Sequence, residues 1–249
     1  MKWILLLSVL AFWGPPRPRH AAAVAERMQK PPGLAVVELF TSEGCSSCPA
    51  ADEGLVKLAS LYPTDVYILG FHVDYWNDLG WKDQFSDASY SERQRKYAAV
   101  FGLRSIYTPE VVVNGEVEFV GSDQQRLTSS IEQQFQKQEF SPILLSARLE
   151  SGRNFRISYK TKPRSNSLMN IALVQLHGQT DVRKGENAGR TLHHINIVRL
   201  FTTLPQVEEQ GSLAVELPAG LASSDCRVIA FLQDRTTLRV TGAGQTSLR

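Results

Sequence analysis

Two cysteines separated by two residues stand in the segment TSEGCSSCPAADEGL, residues 41–55. Cys45 lies in the turn between an apolar run and a helical pattern, and Cys48 lies in the first turn of that predicted helix. A helix N-terminus lowers the pKa of a thiol, because its unpaired N–H groups stabilise the thiolate. The spacing also brings the sulfurs close enough to bond. We therefore predict a Cys45–Cys48 disulfide in which Cys45 attacks a partner disulfide and Cys48 resolves the mixed disulfide.

Two other roles for this pair stay open. His72 follows the next predicted strand and can join the two cysteines as a metal ligand, but no second cysteine or histidine pair lies at zinc-site spacing, and we expect no metal. A disulfide that is only structural is the other alternative. The third cysteine, Cys226, precedes an apolar run and is expected to be a buried free thiol.

Hydrophobic periodicity predicts an α/β arrangement around the cysteines. The predicted order is strand, helix, strand, helix, strand, strand, helix, and the last two strands form a hairpin around Asn114-Gly115. Strand–helix–strand units favour a parallel pair with a right-handed crossover. The predicted segments are 34–40, 49–62, 65–73, 88–102, 107–121 and the helix after Ser122.

The pattern changes after Ser141-Pro142. Short apolar runs separated by Gly, Asn, Ser and Pro replace the helical period, which is typical of a β-sandwich. The predicted organisation is an α/β domain of residues 33–140, with a mixed sheet and flanking helices, followed by a β-sandwich-like domain of residues 142–249.

The order of strand, C-x-x-C and helix, followed by TPEVVVNG at 108–115, resembles the thioredoxin superfamily. The resemblance implies a cis peptide bond between Thr108 and Pro109 that faces the cysteines, with Pro109 shaping the substrate groove. It also implies a buried acid on the strand that leads to the cysteines, and Glu38 is the candidate proton relay. The alternatives are a trans proline that starts a strand and a glutamate that reaches water.

Three longer segments resemble one family within that superfamily. ELFTSEGCSSCPAAD, HVDYWNDLGWKDQF and GENAGRTLHHINIVR together are similar to secreted bacterial thioredoxin-like proteins catalogued as a domain of unknown function, number 1223. This resemblance implies a thioredoxin-like fold with a β-rich C-terminal part. It supplies no substrate.

The side chains after the second predicted strand are candidates for substrate binding. His72, Asp74 and Trp76 follow a strand whose C-terminal end is expected on the cysteine side, where open α/β sheets bind ligands. They are predicted to contact a partner peptide together with Thr108. The alternative is that the tryptophan covers the core and Asp74 caps a turn. The polar segment 183–199 either shapes the groove or is a hairpin only.

The N-terminus predicts export. Lys2 precedes the apolar stretch WILLLSVLAFW, and small residues with A-x-A spacing follow, so residues 1–23 are expected to be a cleaved signal peptide, with an uncleaved anchor as the alternative. Cleavage leaves 24 basic and 25 acidic residues. This balance favours neither a nucleic-acid partner nor an anionic membrane surface.

These observations together predict a thiol–disulfide oxidoreductase of the bacterial cell envelope, periplasmic or secreted. It is expected to need no cofactor and no membrane anchor after signal cleavage, and to meet a redox partner or substrate protein through a mixed disulfide. The alternative is a non-enzymatic binding or assembly module with a structural disulfide. The sequence leaves the direction of electron flow and the oligomeric state open.

Overall fold

Strands from both halves of the chain join in one eight-stranded sheet. The computed structural model describes residues 33–137 and 140–248, so the predicted signal peptide lies outside the described residues. The elements are β1 (Ala35–Thr41), α1 (Cys48–Leu61), β2 (Val66–His72), α2 (Ala88–Phe101), β3 (Glu110–Val113), β4 (Val117–Val120), α3 (Gln124–Phe135), β5 (Leu144–Ser151), β6 (Asn154–Lys160), β7 (Ser167–Asp181), β8 (Thr191–Leu204), β9 (Gln210–Glu216), β10 (Cys226–Asp234) and β11 (Val240–Ser247).

The first half has the predicted order of strands and helices. β1 is buried along its whole length and pairs in parallel with β2 and antiparallel with β3. Successive side chains of a strand point to opposite faces. Leu39 therefore packs with α1 and α3 on one face, and Phe40 packs with α2 on the other. The hairpin between β3 and β4 turns at Asn114-Gly115, where both residues have positive φ, as the dipeptide predicts.

The second half is rich in strands, but the predicted β-sandwich is not confirmed. β7, β8, β10 and β11 extend the first sheet, whose order is β11-β10-β7-β8-β2-β1-β3-β4, while β5, β6 and β9 form a separate three-stranded sheet. The two sheets share a core that includes Ile157, Leu173 and Val228. β8 lies beside β2, with Ile197 opposite Gly70. A periodic pattern predicts that a strand forms, but it does not predict which edge the strand pairs with.

The predicted division into residues 33–140 and 142–249 stays a prediction, and the eight-stranded sheet contains strands from both ranges. Within residues 33–137 and 140–248, no helix is long and apolar enough to cross a membrane.

Candidate functional site

Cys45 and Cys48 form a disulfide at the start of α1, with their Cα atoms 5.4 Å apart. Cys48 is the first residue of the helix, and a proline occupies its first turn. The backbone N–H of Cys45 donates to the carbonyl of Ser42, and that of Cys48 donates to the carbonyl of Cys45, both at 3.2 Å. The predicted position of the pair between a strand and a helix is confirmed. Residues 42–48 are called the cysteine turn below.

The disulfide is covered by protein. Cys45 and Cys48 are each 1% exposed, whereas Ser46 and Ser47 are exposed. The hydroxyl of Ser47 lies 3.4 Å from Cys45 Sγ. Because a disulfide sulfur carries no hydrogen, the hydroxyl is the donor in this bond. Both cysteines are therefore shielded from solvent in this arrangement.

The peptide bond between Thr108 and Pro109 is cis, as the resemblance implies. Trp76 Nε1 donates to Thr108 Oγ1 at 2.8 Å. The same tryptophan lies against the cysteine turn, because a Cβ added to Gly44 would stand 3.3 Å from Trp76 Cβ. Trp76 thus connects the loop of Pro109 with the cysteine turn. The substrate-binding roles predicted for Thr108, Pro109 and Trp76 stay predictions.

His72 and Asp74 are held by other side chains. His72 is 1% exposed, and its Nδ1 lies 2.6 Å from Asp83 Oδ2. Asp74 accepts a hydrogen bond from the hydroxyl of Ser91 on α2 at 2.5 Å. This placement agrees with the alternative in which Asp74 fixes a turn, and it puts His72 inside the protein rather than on a surface wall. Contact of either residue with a substrate stays a prediction.

Glu38 contacts α2, and its predicted role as a proton relay stays a prediction. It shares the face of β1 with Phe40, toward α2, whereas α1 covers the opposite face. Arg93 donates to both carboxylate oxygens, from Nε at 2.5 Å and from Nη2 at 2.9 Å, and the hydroxyl of Tyr97 donates to Oε1 at 2.5 Å. Burial lowers the pKa of Arg93, but Glu38 and Tyr97 raise it above its usual value. Glu38 is therefore part of a buried ion pair.

A different set of ionisable groups lies near the disulfide, and we call it the acid–histidine cluster. Its members are all buried: Glu43, Asp52, His72, Asp83 and His194. His194 Nδ1 lies 3.0 Å from Asp52 Oδ1, and the His72 and His194 rings are 4.7 Å apart. Asp52 lies one helical turn after Cys48 on α1, on the same side of the helix. The sequence did not predict Asp52, Asp83 or His194 as site residues, because they come from three distant segments.

The acid–histidine cluster carries more acids than bases. Burial lowers the pKa of His72, but Asp83, Asp52 and Glu43 together raise it above its usual value. His72 in turn holds the pKa of Asp83 below its usual value despite burial. Three carboxylates and two imidazoles share the cluster, so full ionisation would leave it negative. Among the described side chains, Glu43 Oε1, His72 Nε2 and His194 Nε2 are buried without a hydrogen-bond partner. His194 Nε2 and Glu43 Oε1 lie 3.8 Å apart.

No metal centre accompanies these groups in the part of the chain that the structure describes, where no three His, Cys, Asp or Glu side chains are arranged to hold an ion. Cys226, at the start of β10, is a buried free thiol, and burial raises its pKa to about 11. Cys226 packs with the second sheet, as expected for a small apolar side chain.

The segment between β7 and β8, residues 182–190, holds the cysteine turn, and we call it the clamp loop. Asn187 is fully buried, and its Nδ2 donates to the carbonyls of Glu43 at 2.8 Å and Cys45 at 2.9 Å. Arg190 donates to Asn187 Oδ1 at 2.9 Å, which fixes the amide in this orientation. Glu186 accepts a hydrogen bond from the backbone N–H of Ser46 at 3.0 Å. The sequence predicted contact of segment 183–199 with the groove only as one alternative.

We expect Asn187→Ala to lower the free energy of unfolding by about 2–3 kcal/mol, because two buried carbonyls lose their donor. Urea denaturation measures the change. Asn154→Ala, at an exposed position at the start of β6, is the matched control and is expected to have little effect. Equal changes in the two variants would contradict a structural role for the clamp loop.

The disulfide at a helix start, the cis proline and the strand order together define a thioredoxin-like protein. A family model described as "Protein of unknown function (DUF1223)" matches residues 36–233, and the chain belongs to this family. The predicted membership is therefore confirmed. The description of the family assigns no function.

One relative supports the thioredoxin-like relationship, and one solved structure shares the fold of this chain. A thioredoxin from Methanocaldococcus jannaschii is 33% identical over 86 residues, which cover 34% of this chain and 78% of the thioredoxin. The crystal structure of protein AGR_C_4864 from Agrobacterium tumefaciens has a TM-score of 0.64 and 26% sequence identity, over 88% of this chain and 96% of that chain. The second similarity spans both halves of the chain.

Proposed function

We propose that the protein is a thiol–disulfide oxidoreductase of the bacterial cell envelope, exported by its N-terminal signal. The observation that carries the proposal is the Cys45–Cys48 disulfide at the start of α1, linked through Trp76 to the loop of the cis proline. The similarity to a thioredoxin supports the same chemistry. The reaction needs a partner protein and no separate cofactor, nucleic acid or membrane anchor.

The exchange has two steps. A thiolate of a partner dithiol attacks Cys45 Sγ, the bond between Cys45 and Cys48 breaks, and its electron pair leaves on Cys48, which takes up a proton. The second partner thiol then loses a proton and attacks the mixed disulfide, so that Cys45 leaves as a thiolate and the partner becomes a disulfide. The reverse sequence reduces a partner disulfide.

Asp52 and His194 replace Glu38 in our assignment of the buried groups that exchange the proton with Cys48. Asp52 is one helical turn from Cys48, and its carboxylate contacts both His194 and the hydroxyl of Thr41. Glu38 is on the opposite face of the sheet and is neutralised by Arg93. A carboxylate that acts on a thiol must lie within reach of it.

A second function has an observation in its favour. The 1% exposure of both cysteines fits a binding or assembly module whose disulfide is only structural. The reduction potential separates the two functions, because structural disulfides in secreted proteins lie below about −300 mV and exchange catalysts lie above it. A potential in the structural range would favour the binding module.

The proposed function is tested by trapping. Cys48→Ser removes the resolving thiol, so Cys45 is expected to accumulate mixed disulfides with partner proteins in the host bacterium. Non-reducing gels and mass spectrometry detect them, and they must vanish on reduction. The double variant Cys45→Ser/Cys48→Ser is the control. Absence of adducts, from a folded Cys48→Ser protein, would refute the oxidoreductase function.

A further inference from the structure

One backbone amide of the cysteine turn is hydrogen-bonded to a carboxylate. The backbone N–H of Ser46 donates to Glu186 Oε2 at 3.0 Å. Glu186 is exposed, and its hydrogen bonds with Ser46 lower its pKa, so it is an anion at neutral pH. Ser46 is the residue directly after Cys45. The Glu186 carboxylate is therefore hydrogen-bonded to the amide that adjoins Cys45, the residue whose sulfur becomes a thiolate when the disulfide is reduced.

The contact of Glu186 is fixed by its neighbour in the chain. Asn187 is fully buried and binds the carbonyls of Glu43 and Cys45, and Arg190 binds the other end of the same amide. Trp81 packs against Gly185, the residue before Glu186, which has positive φ. An exposed side chain is usually free to leave its partner, but here the backbone on both sides of it is held.

Two side chains act on Cys45 in opposite directions. The hydroxyl of Ser47 donates to Cys45 Sγ, and a donor of this kind favours a thiolate. The carboxylate of Glu186 disfavours a thiolate by charge repulsion, and it also takes up the N–H of Ser46. Other charged or titratable groups in or near the turn are Glu43, Asp52, His72, Asp83, Arg190 and His194. The carboxylates among them are buried, whereas the carboxylate of Glu186 is exposed.

We propose that Glu186 is a positioning residue that holds the cysteine turn in its oxidised arrangement and suppresses the Cys45 thiolate, so that displacement of the clamp loop by a partner releases Cys45 for exchange. This inference rests on the proposed function. It assigns the second half of the chain a direct role in the reactivity of the first cysteine.

The test compares thiolate formation in a background that isolates Cys45. Cys48→Ser leaves Cys45 and Cys226 as thiols, and Cys226 titrates separately because burial raises its pKa to about 11. In this background, Glu186→Gln keeps an oxygen that accepts from Ser46 and removes the charge. The ultraviolet absorbance of the thiolate, followed against pH, needs no access of a reagent to the sulfur. Glu132→Gln, an exposed change on α3, is the matched control.

We expect Glu186→Gln to increase the thiolate fraction of Cys45 at neutral pH about two- to fivefold, as expected for one exposed charge near the sulfur. The increase is expected to shrink in about 1 M salt, where the screening length is about 3 Å. Ser47→Ala is expected to change the fraction in the opposite direction. A merely structural role for Glu186 would not produce this dependence on salt.

A Glu186→Gln titration that coincides with the Glu132→Gln titration would overturn the inference. Circular dichroism on each variant establishes that it is folded. Trapping by Cys48→Ser is measured independently. If adducts form and the titrations coincide, the inference fails alone; if no adducts form, the proposed function fails whatever the titrations show.

Discussion

Asp83→Asn is expected to lower the free energy of unfolding by about 3–5 kcal/mol, the usual cost of breaking a buried ion pair. One carboxylate oxygen of Asp83 lies 2.6 Å from His72 Nδ1 and accepts from the backbone N–H of Glu43 at 2.9 Å. The other oxygen accepts from the N–H of Phe85, also at 2.9 Å. Asparagine removes the charge that stabilises protonated His72. Its side-chain NH₂ group would also face one of the groups that now donate to Asp83, and two donors cannot form a hydrogen bond.

The dependence of this effect on pH follows from the two pKa shifts. The pKa of Asp83 is lowered from 3.8, so its contribution is present above that value and is lost as the pH falls through the folded-state pKa. The pKa of His72 is raised from 6.5, so its contribution is present below 6.5 and is lost as the pH rises through the folded-state pKa. The cost of Asp83→Asn is therefore expected to be largest between these limits.

Urea denaturation across this pH range measures the cost. Asp123→Asn is the matched control, because Asp123 caps α3 by accepting from the N–H of Arg126, and asparagine caps a helix equally well. A loss below about 1 kcal/mol for Asp83→Asn, a typical value for one neutral hydrogen bond, would show that the pair is not ionised.

Glu110→Gln is expected to stabilise the protein by up to about 3 kcal/mol above neutral pH and to have little effect in acid. Glu110 follows the cis proline and is fully buried. Its Oε2 accepts from Gln94 Nε2 at 2.6 Å, and among the described residues Oε1 has no hydrogen-bond partner. Burial raises the pKa of Glu110 from 4.5 to about 7. The native state therefore binds this proton more tightly than the unfolded chain does.

The sign of this prediction is the reverse of that for Asp83. Below the unfolded value of 4.5 the carboxyl is protonated in both states and contributes no difference. As the pH rises from 4.5 to about 7 the native state loses stability, and above about 7 the loss is constant. Glutamine carries no charge at any pH and avoids the loss.

Unfolding in urea at about pH 4 and about pH 8, on either side of the two pKa values, measures the difference. Glu132→Gln is the control, because Glu132 is exposed in both states. An equal gain from Glu110→Gln at both pH values would contradict the assigned protonation of Glu110.

The sequence predicted those parts of the site that depend on interactions between residues adjacent in the chain. The apolar run before Cys45, the helix from Cys48 and the turn at Asn114-Gly115 depend on residues adjacent in the chain. The cis bond before Pro109 followed from the resemblance, and the structure confirms it. The apolar run, the helix and the turn depend on short-range interactions, so the period of the pattern and the turn residues suffice to predict these three features.

The rest of the site depends on contacts between distant segments. Asp52 and His194 are 142 positions apart, and Asn187 reaches Cys45 across the same separation. The periodicity of the sequence does not indicate which buried acid pairs with which histidine. Glu38 illustrates the limit: the resemblance implied a buried acid on β1, but the pairing of Glu38 with Arg93 depends on the packing of α2.

Because β8 lies beside β2, the thioredoxin-like part of this chain is a poor candidate for use as a separate domain. A fragment cut before β5 would expose the edge of β2, and an unpaired edge is a template for aggregation. The same cut would remove Glu186, Asn187 and His194 from the surroundings of the disulfide. Swapping this redox centre into another scaffold would therefore require transplanting the long β7–β8 ribbon with it.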